Sequence, residues 1–194
     1  MPSESGPRGV RSDFVAQFGA QGGREPRLYR APGRINIIGE HTDYNGGYVL
    51  PATVDLYTWV AARPRDDRAL NVRDCSSGEL YRLDLDRLER GPAGQPVEYI
   101  KAVAWALQSD GLQPGGCDVA IGGNIPLGGG LSSSASLELS LAWALLDCAG
   151  ISMDRQRLAL LCQRAESEFV GARCGIMDQY IIALGAPASA MMLD

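Results

Sequence analysis

A glycine-rich segment followed by serines is the part of the sequence that most clearly indicates a chemical function. It extends from Asn124 to Ser136 and contains three consecutive glycines at 128 to 130 and three consecutive serines at 132 to 134. A turn of this kind leading into a helix presents free backbone N–H groups and the positive end of the helix dipole, which together bind phosphate. A serine hydroxyl there can also ligate Mg2+. The alternative is a simple connector in which one serine caps the helix.

A second cluster, Arg30 to Tyr44, collects polar groups of several kinds. It holds two arginines, two carboxylates, an asparagine, a tyrosine and the only histidine of the chain. The proline and glycine at 32 and 33 predict that this segment is irregular. Glu40, His41 and Asp43 carry the donors and acceptors needed to hold the hydroxyls of a polyol. A solvated polar loop is the alternative.

A third cluster extends from Ala165 to Tyr180 and contains two carboxylates of interest. Glu166 falls beside the apolar stripe of its predicted helix, so we expect its carboxylate to border the core. Asp178 lies in the first turn of a further predicted helix, 176 to 184. It either takes part in chemistry or serves only as a capping group.

The composition excludes several classes of protein. The net charge of −5 and the pI near 4.9 argue against an electrostatic grip on nucleic acid or on a membrane surface. With one histidine and one lysine, Lys101, the chain lacks a multi-histidine metal site, a Walker P-loop and the motif set of protein kinases. The five cysteines form no close pair in sequence, which indicates reduced thiols.

The length of 194 residues and the apolar content of 45% predict one domain, or one and part of another. Residues 1–26 are expected to form a loosely ordered lead segment without a signal peptide or membrane span. We therefore expect a cytoplasmic protein. No obligatory protein partner is evident.

The elements that must position the three clusters follow from hydrophobic periodicity. Alternation predicts strands at 70–73, 81–85 and 117–121. We expect a fourth strand at 54–62 and a strand-like stretch at 188–193. Helices are predicted at 97–107, 137–145, 158–169 and 176–184. The stretch Arg63 to Arg68 is most simply a solvated charged turn. Because strands come mostly first and helices mostly last, the pattern favours an α+β fold over a doubly wound α/β sheet.

Together, the three clusters resemble the motifs of the GHMP superfamily of sugar kinases, most closely those of the galactokinase family. Gly33 to Asn45 is similar to the galactokinase signature, and Pro126 to Ala135 is similar to the family's phosphate loop in its three-serine form. Cys174 to Gln179 is similar to the segment that holds the catalytic aspartate. The similarity extends from Phe14 to Asp194, nearly the whole chain.

The resemblance implies transfer of the γ-phosphoryl group of MgATP to the C1 hydroxyl of α-D-galactose, which would open galactose catabolism. It implies Asp178 as the catalytic base and Arg34 as a cation beside the transferring group. The implied sugar-binding residues are Glu40, His41, Thr42, Asp43, Gly175 and Asp178. The implied ATP-binding residues are Gly128, Gly129, Gly130, Leu131, Ser132, Ser133 and Ser134. The implied Mg2+ ligands are Ser134 and Glu166.

The resemblance also implies an architecture. GHMP kinases join an N-terminal domain, similar to domain 2 of ribosomal protein S5, to a C-terminal ferredoxin-like domain. We expect residues 27–194 to form the N-terminal domain and the C-terminal domain to be largely absent from this chain. We further expect the 194 residues alone to be inactive.

Two other functions are compatible with the same motifs. One is a sensor of the same fold that binds galactose and ATP without turnover. The other is a kinase of a related sugar such as N-acetylgalactosamine, galacturonate or arabinose. An intact Asp178 favours an enzyme, because a sensor needs no base.

Overall fold

The computed structural model describes residues 6–19, 25–39, 41–92 and 94–194. The elements, in chain order, are α1 (Pro7–Phe18), β1 (Arg27–Asn36), a 3-10 turn (Asp43–Asn45), β2 (Pro51–Pro64), β3 (Ala69–Asp74), β4 (Leu80–Asp84), α2 (Pro96–Ser109), β5 (Cys117–Gly123), α3 (Ser133–Cys148), α4 (Arg155–Arg164), a π-helix (Ala165–Val170) and α5 (Met177–Leu184). The α+β class is confirmed, with the predicted helices and four of the predicted strands in place. No helix within these described ranges has the length and apolar character needed to cross a membrane.

The sheet has the strand order β1-β2-β5-β3-β4. All neighbours are antiparallel except β3 and β5, which are parallel. Side chains alternate between the two faces of a strand, so the two faces have different partners. Val60 and Val119 face the main core with α2 to α5, whereas Ala61 and Ala120 face α1. The chemistry-bearing segments lie at the β1 edge, where α3 and α5 pack against β1 and β2.

Helix α1 lies inside the segment that was expected to be loosely ordered, so that expectation is wrong for Pro7–Phe18. Val10 and Phe14 are fully buried against Ala61 and Ala120 of the sheet. Their spacing of four residues places both on one side of the helix. The apolar stripe is hard to detect from sequence because it is short and the residues between its two members, 11–13, are polar.

Strand β1 corrects the prediction that the second cluster begins as an irregular segment. Arg27–Asn36 pairs with β2 throughout, and the register shifts once, between Pro32 and Gly33. Proline is tolerated in an edge strand because its missing N–H removes no ladder bond from the sheet interior. The proline and glycine therefore lie opposite a bulge in β2, at residues 55 and 56, and do not mark the end of β1. The predicted stretch 188–193 is not a continuous strand, since it makes only two isolated bridges to the region of β2.

A buried ion-pair network replaces the predicted solvated turn at Arg63. Arg63 on β2 and Asp118 on β5 lie opposite each other and are 5% and 3% exposed. Arg63 Nη2 lies 3.1 Å from Asp118 Oδ2. Asp118 also accepts hydrogen bonds from Arg65 and Asn71, both at 2.9 Å. Arg63 in turn donates to the carbonyl of Gly19 at the end of α1. The network joins α1 to the sheet.

Asp118→Ala is expected to lower the free energy of unfolding by about 3–5 kcal/mol, because it leaves the buried Arg63 guanidinium without its counter-charge. Urea unfolding followed by circular dichroism measures the loss. Asp86→Ala is the matched control, since Asp86 makes an exposed pair with Arg68, and its effect should stay below about 1 kcal/mol. Equal effects of the two variants would contradict the proposed role of the network.

Candidate functional site

A bidentate ion pair between Arg34 and Asp178 forms the centre of the candidate site. Arg34 Nε and Nη2 lie 2.7 and 2.8 Å from the two carboxylate oxygens of Asp178. Arg34 Nη1 donates to the carbonyl of Gly130 at 2.7 Å. Arg34 is on β1, Asp178 is in the first turn of α5, and Gly130 is in the glycine-rich loop. The two residues predicted as catalytic are therefore brought together beside the predicted phosphate loop.

The loop between β5 and α3 has the backbone form expected of an anion-binding turn. Gly128 and Gly130 have φ of +72° and +66°, a left-handed conformation that glycine adopts without strain. Ser132 is also left-handed, with φ of 54°, which is uncommon for a residue with a side chain. Its hydroxyl donates to Asp178. No side chain among the described residues caps the first turn of α3, so its amide groups remain available to a phosphate.

The other predicted ATP-binding residues lie on the same loop. The carbonyl of Leu131 accepts the backbone N–H of Arg34 at 3.1 Å, which attaches the loop to β1. Gly129 lies against Pro126, and Ser133 begins α3. A Cβ at Gly33 would come within 3.0 Å of the Leu131 carbonyl, so β1 approaches the loop more closely than a larger residue allows.

Glu166 is placed by a local change of helix geometry. The predicted helix 158–169 is α-helical only to Arg164 and continues as the π-helix Ala165–Val170, in which the Gly171 N–H bonds to the Glu166 carbonyl at 3.1 Å. Such wide turns are frequent at functional sites because they redirect one side chain. Glu166 is 8% exposed and accepts a hydrogen bond from the Gln179 side-chain nitrogen at 2.7 Å. Burial raises the pKa of Glu166, and the nearby Ser134 and Gln179 side chains partly oppose that effect.

Ser134 and Glu166 fit a Mg2+ ion. Both provide oxygen atoms, the ligand type that this hard cation requires, and they lie near each other beside the loop. The described residues contain no group of three or more His, Cys, Asp or Glu that could hold a metal. A small protein ligand set suits Mg2+, which keeps several waters and shares its coordination with substrate phosphates.

The Asp43 carboxylate packs directly against the backbone of Gly175, just before the start of α5. The Asp43 carboxylate accepts the backbone N–H of Met177 at 3.1 Å. A Cβ at Gly175 would come within 2.3 Å of that carboxylate, so only glycine fits. Desolvation raises the pKa of Asp43, while the N–H of Met177 opposes the rise. Asp43 thus lies near Asp178.

Two further predicted sugar-binding residues, His41 and Thr42, lie in the turn after β1. The His41 ring nitrogen Nδ1 is 2.7 Å from the hydroxyl of Tyr44, and His41 is exposed. The Thr42 hydroxyl lies within hydrogen-bond distance of the carbonyls of Gly39 and Tyr48, at 3.0 and 2.7 Å, so it holds the turn in shape. Contacts of His41 and Thr42 with a sugar stay predictions. Glu40 lies outside the described residues.

A buried cluster beneath the site was missed by sequence reasoning. Glu138 on α3 and Gln179 on α5 are both 0% exposed. The Gln179 side-chain nitrogen donates to Glu138 at 3.2 Å and to Glu166 at 2.7 Å. Burial and the nearby Glu166 charge raise the pKa of Glu138 well above its ordinary value. The available signal was a carboxylate between leucines in a helix with almost no polar face.

The arrangement suits phosphoryl transfer to an alcohol. Free N–H groups and the Arg34 guanidinium can stabilise phosphate charge, and the Asp178 carboxylate can accept the proton of an alcohol. Asp178 is partly exposed, so a substrate can reach it.

Two family descriptions match this chain. Residues 12–64 match the galactokinase galactose-binding signature, and residues 98–186 match the GHMP kinase N-terminal domain. Galactokinase of Chloroflexus aggregans is 45% identical over 94% of this chain, and galactokinase of Thermococcus kodakarensis is 44% identical over 87%. The chain spans about half the length of these curated relatives, 47% in each case.

Solved structures of kinases are also similar to this chain. The crystal structure of Lactococcus lactis galactokinase complexed with galactose is similar at a TM-score of 0.89 and 36% identity, covering 96% of this chain and 48% of that one. The mevalonate kinase of Methanococcus jannaschii is similar at a TM-score of 0.74 and 18% identity, covering 87% of this chain and 53% of that one. The second similarity concerns the fold alone.

Gly175→Ala is expected to lower the free energy of unfolding by about 1–3 kcal/mol, because the added methyl group overlaps the Asp43 carboxylate. The cost is steric, since the backbone at Gly175 lies outside the left-handed region. In the double variant with Asp43→Ala, the overlap is gone and the two effects should be far from additive. Gly115→Ala, with open space around its Cβ, is the control for urea unfolding. Additive effects would contradict the shared space.

Glu138→Gln is expected to gain stability relative to the parent chain as the pH rises above 4.5, the ordinary pKa of this carboxyl. The raised pKa means that the folded state keeps a proton that the unfolded state releases, so the parent loses stability with rising pH. The difference should grow by at most about 1.4 kcal/mol per pH unit. Urea unfolding of both proteins between pH 4 and 8 measures it. A difference independent of pH would contradict the raised pKa.

Proposed function

Because this chain belongs to the GHMP kinases, of which it contains the N-terminal domain with the galactokinase signature, we propose that the protein containing it phosphorylates α-D-galactose at the C1 hydroxyl with MgATP. The products are galactose 1-phosphate and ADP. The proposal concerns the protein at the length of its relatives, with the C-terminal domain that the GHMP kinase resemblance implies. We also propose that this protein is located in the cytoplasm.

The observation that supports this most directly is the contact of Arg34 and Asp178 next to the glycine-rich loop. In the proposed reaction, the C1 oxygen attacks the γ-phosphorus, its proton passes to a carboxylate oxygen of Asp178, and the bond from the γ-phosphorus to ADP breaks. Phosphoryl transfer is accelerated mainly by positioning and charge stabilisation. Asp178 needs chiefly to orient the hydroxyl and collect its proton.

Groups from three elements stabilise the negative charge of the phosphates. Arg34 supplies a fixed cation, and the start of α3 supplies free amide groups. Ser134 and Glu166 would hold Mg2+, which neutralises phosphate charge when bound. Gly128, Gly130 and Ser132 give the loop the curvature that lets a phosphate approach the backbone.

The sugar is assigned to the space near Asp43 and Asp178. Asp43 is fixed at the start of α5 by the Met177 N–H, and Gly175 leaves room for it. Carboxylates held in this way are suited to accept hydrogen bonds from sugar hydroxyls. We assign Glu40, His41 and Thr42 to the same site, with Thr42 acting at least through the turn it holds.

Asp178→Asn is expected to reduce galactose-dependent ADP release by about a thousandfold or more, because the amide cannot accept the proton. Galactose binding, measured by calorimetry, should persist. Asp110→Asn is the matched control, since Asp110 pairs with Arg157 away from the site, and its turnover should equal that of the parent.

Three outcomes would overturn the proposal. Turnover of Asp178→Asn above about a thousandth of the parent's would remove the base assignment. Binding of galactose and ATP by the parent protein without ADP release would indicate a sensor. A kcat/KM more than about tenfold higher for N-acetylgalactosamine, galacturonate or arabinose would change the substrate.

A further inference from the structure

The Gln179 side chain links the two buried carboxylates at the base of the site. It lies on α5, directly after Asp178, and its amide nitrogen contacts Glu138 Oε2 at 3.2 Å and Glu166 Oε2 at 2.7 Å. An amide nitrogen has two N–H groups, so both are used by these two contacts. The opposite amide orientation would place an oxygen between two carboxylate oxygens. The orientation is therefore set by its partners.

Glu138 is the far end of this link and has no other function in the site. It lies one helical turn after Ser134 on α3, on the same side of that helix. The structure gives its Oε1 no partner, and the same holds for Oε1 of Gln179, although both atoms are buried. A buried polar atom without a partner is costly, so such a residue requires a reason. The only described side chain that bonds Glu138 is Gln179.

We propose that Glu138 is a positioning residue, which acts through Gln179 to hold the Glu166 carboxylate in the orientation needed for the metal of the nucleotide. The inference rests on the proposed function, because it takes Glu166 as a Mg2+ ligand. Partners that orient a metal ligand typically change metal affinity by about 10- to 100-fold when removed. The link also couples α3, α5 and the π-helix, which hold Ser134, Asp178 and Glu166.

The hydrogen bond requires an acceptor at position 138 and not a charge. Glu138→Gln keeps a side-chain oxygen for the Gln179 amide, so it should preserve the link. Glu138→Met keeps nearly the same volume and removes the acceptor. Gln179→Leu removes the link from its other end. Ser140→Ala is the matched control, since Ser140 is a buried polar residue on α3 that bonds only backbone carbonyls.

The experiment measures the Mg2+ concentration for half-maximal turnover at fixed ATP, in the full-length protein. Glu138→Met and Gln179→Leu should each raise it by about tenfold, while Glu138→Gln and Ser140→Ala stay within about twofold. The double variant that combines Glu138→Met with Gln179→Leu should be no worse than the more impaired single variant, because both substitutions remove one link. Galactose affinity should be unchanged in all of them. If Glu138 and Gln179 only stabilised the fold, their substitution would not change the Mg2+ requirement while leaving galactose affinity unchanged.

A second readout does not require turnover. Water proton relaxation with Mn2+ and ATP, without sugar, reports metal bound at the site, and it should show the same order of variants. If the parent binds Mn2+ with ATP but releases no ADP with galactose, the proposed function fails and the positioning role is still decided. Unchanged metal dependence in Glu138→Met or Gln179→Leu overturns the inference, as does a Glu138→Gln variant as impaired as Glu138→Met. If Glu138→Met does not fold, Gln179→Leu decides.

Discussion

The bidentate contact between Arg34 and Asp178 is the interaction on which the candidate site depends. It fixes the edge strand β1 against the first turn of α5, and the third arm of the same guanidinium holds the Gly130 carbonyl. A planar guanidinium sets the orientation of its partners as well as their distance. One side chain therefore positions a carboxylate, a phosphate loop and a helix start together. The contact is also partly exposed, so the same groups that it holds remain open to ligands.

Local signals predicted the parts of the molecule whose form depends on local rules. The glycine-rich loop was predictable because glycines at 128 and 130 permit left-handed backbone before a helix. Strands β3 to β5 were predictable from alternation. The predictions for α1 and the start of β1 were wrong because their form depends on partners. Pro32 is compatible with a strand only because that strand is at the edge of the sheet.

The support of the site was less predictable than its chemistry. Arg63 became buried because Asp118 lies opposite it on the neighbouring strand, a pairing that no spacing rule provides. The same is true of Glu138, which needs Gln179 from another helix to be tolerated inside the core. The π-helix at Glu166 also depends on what surrounds it. Tertiary contacts decide where such polar groups lie, whereas motifs indicate only which residues take part.

The residues of the site lie far apart along the chain, and this separation affects the order in which parts of the protein fold. Arg34 and Asp178 are 144 positions apart, and Asp43 and Met177 are 134 apart. Contacts between such distant positions form late, because a long loop must be closed before they give any stabilisation. During synthesis, the loop and β1 leave the ribosome well before α5 does. The nascent chain therefore has to build its sheet without help from bound ligands, since Arg34 and Asp178 cannot meet until α5 has been synthesised.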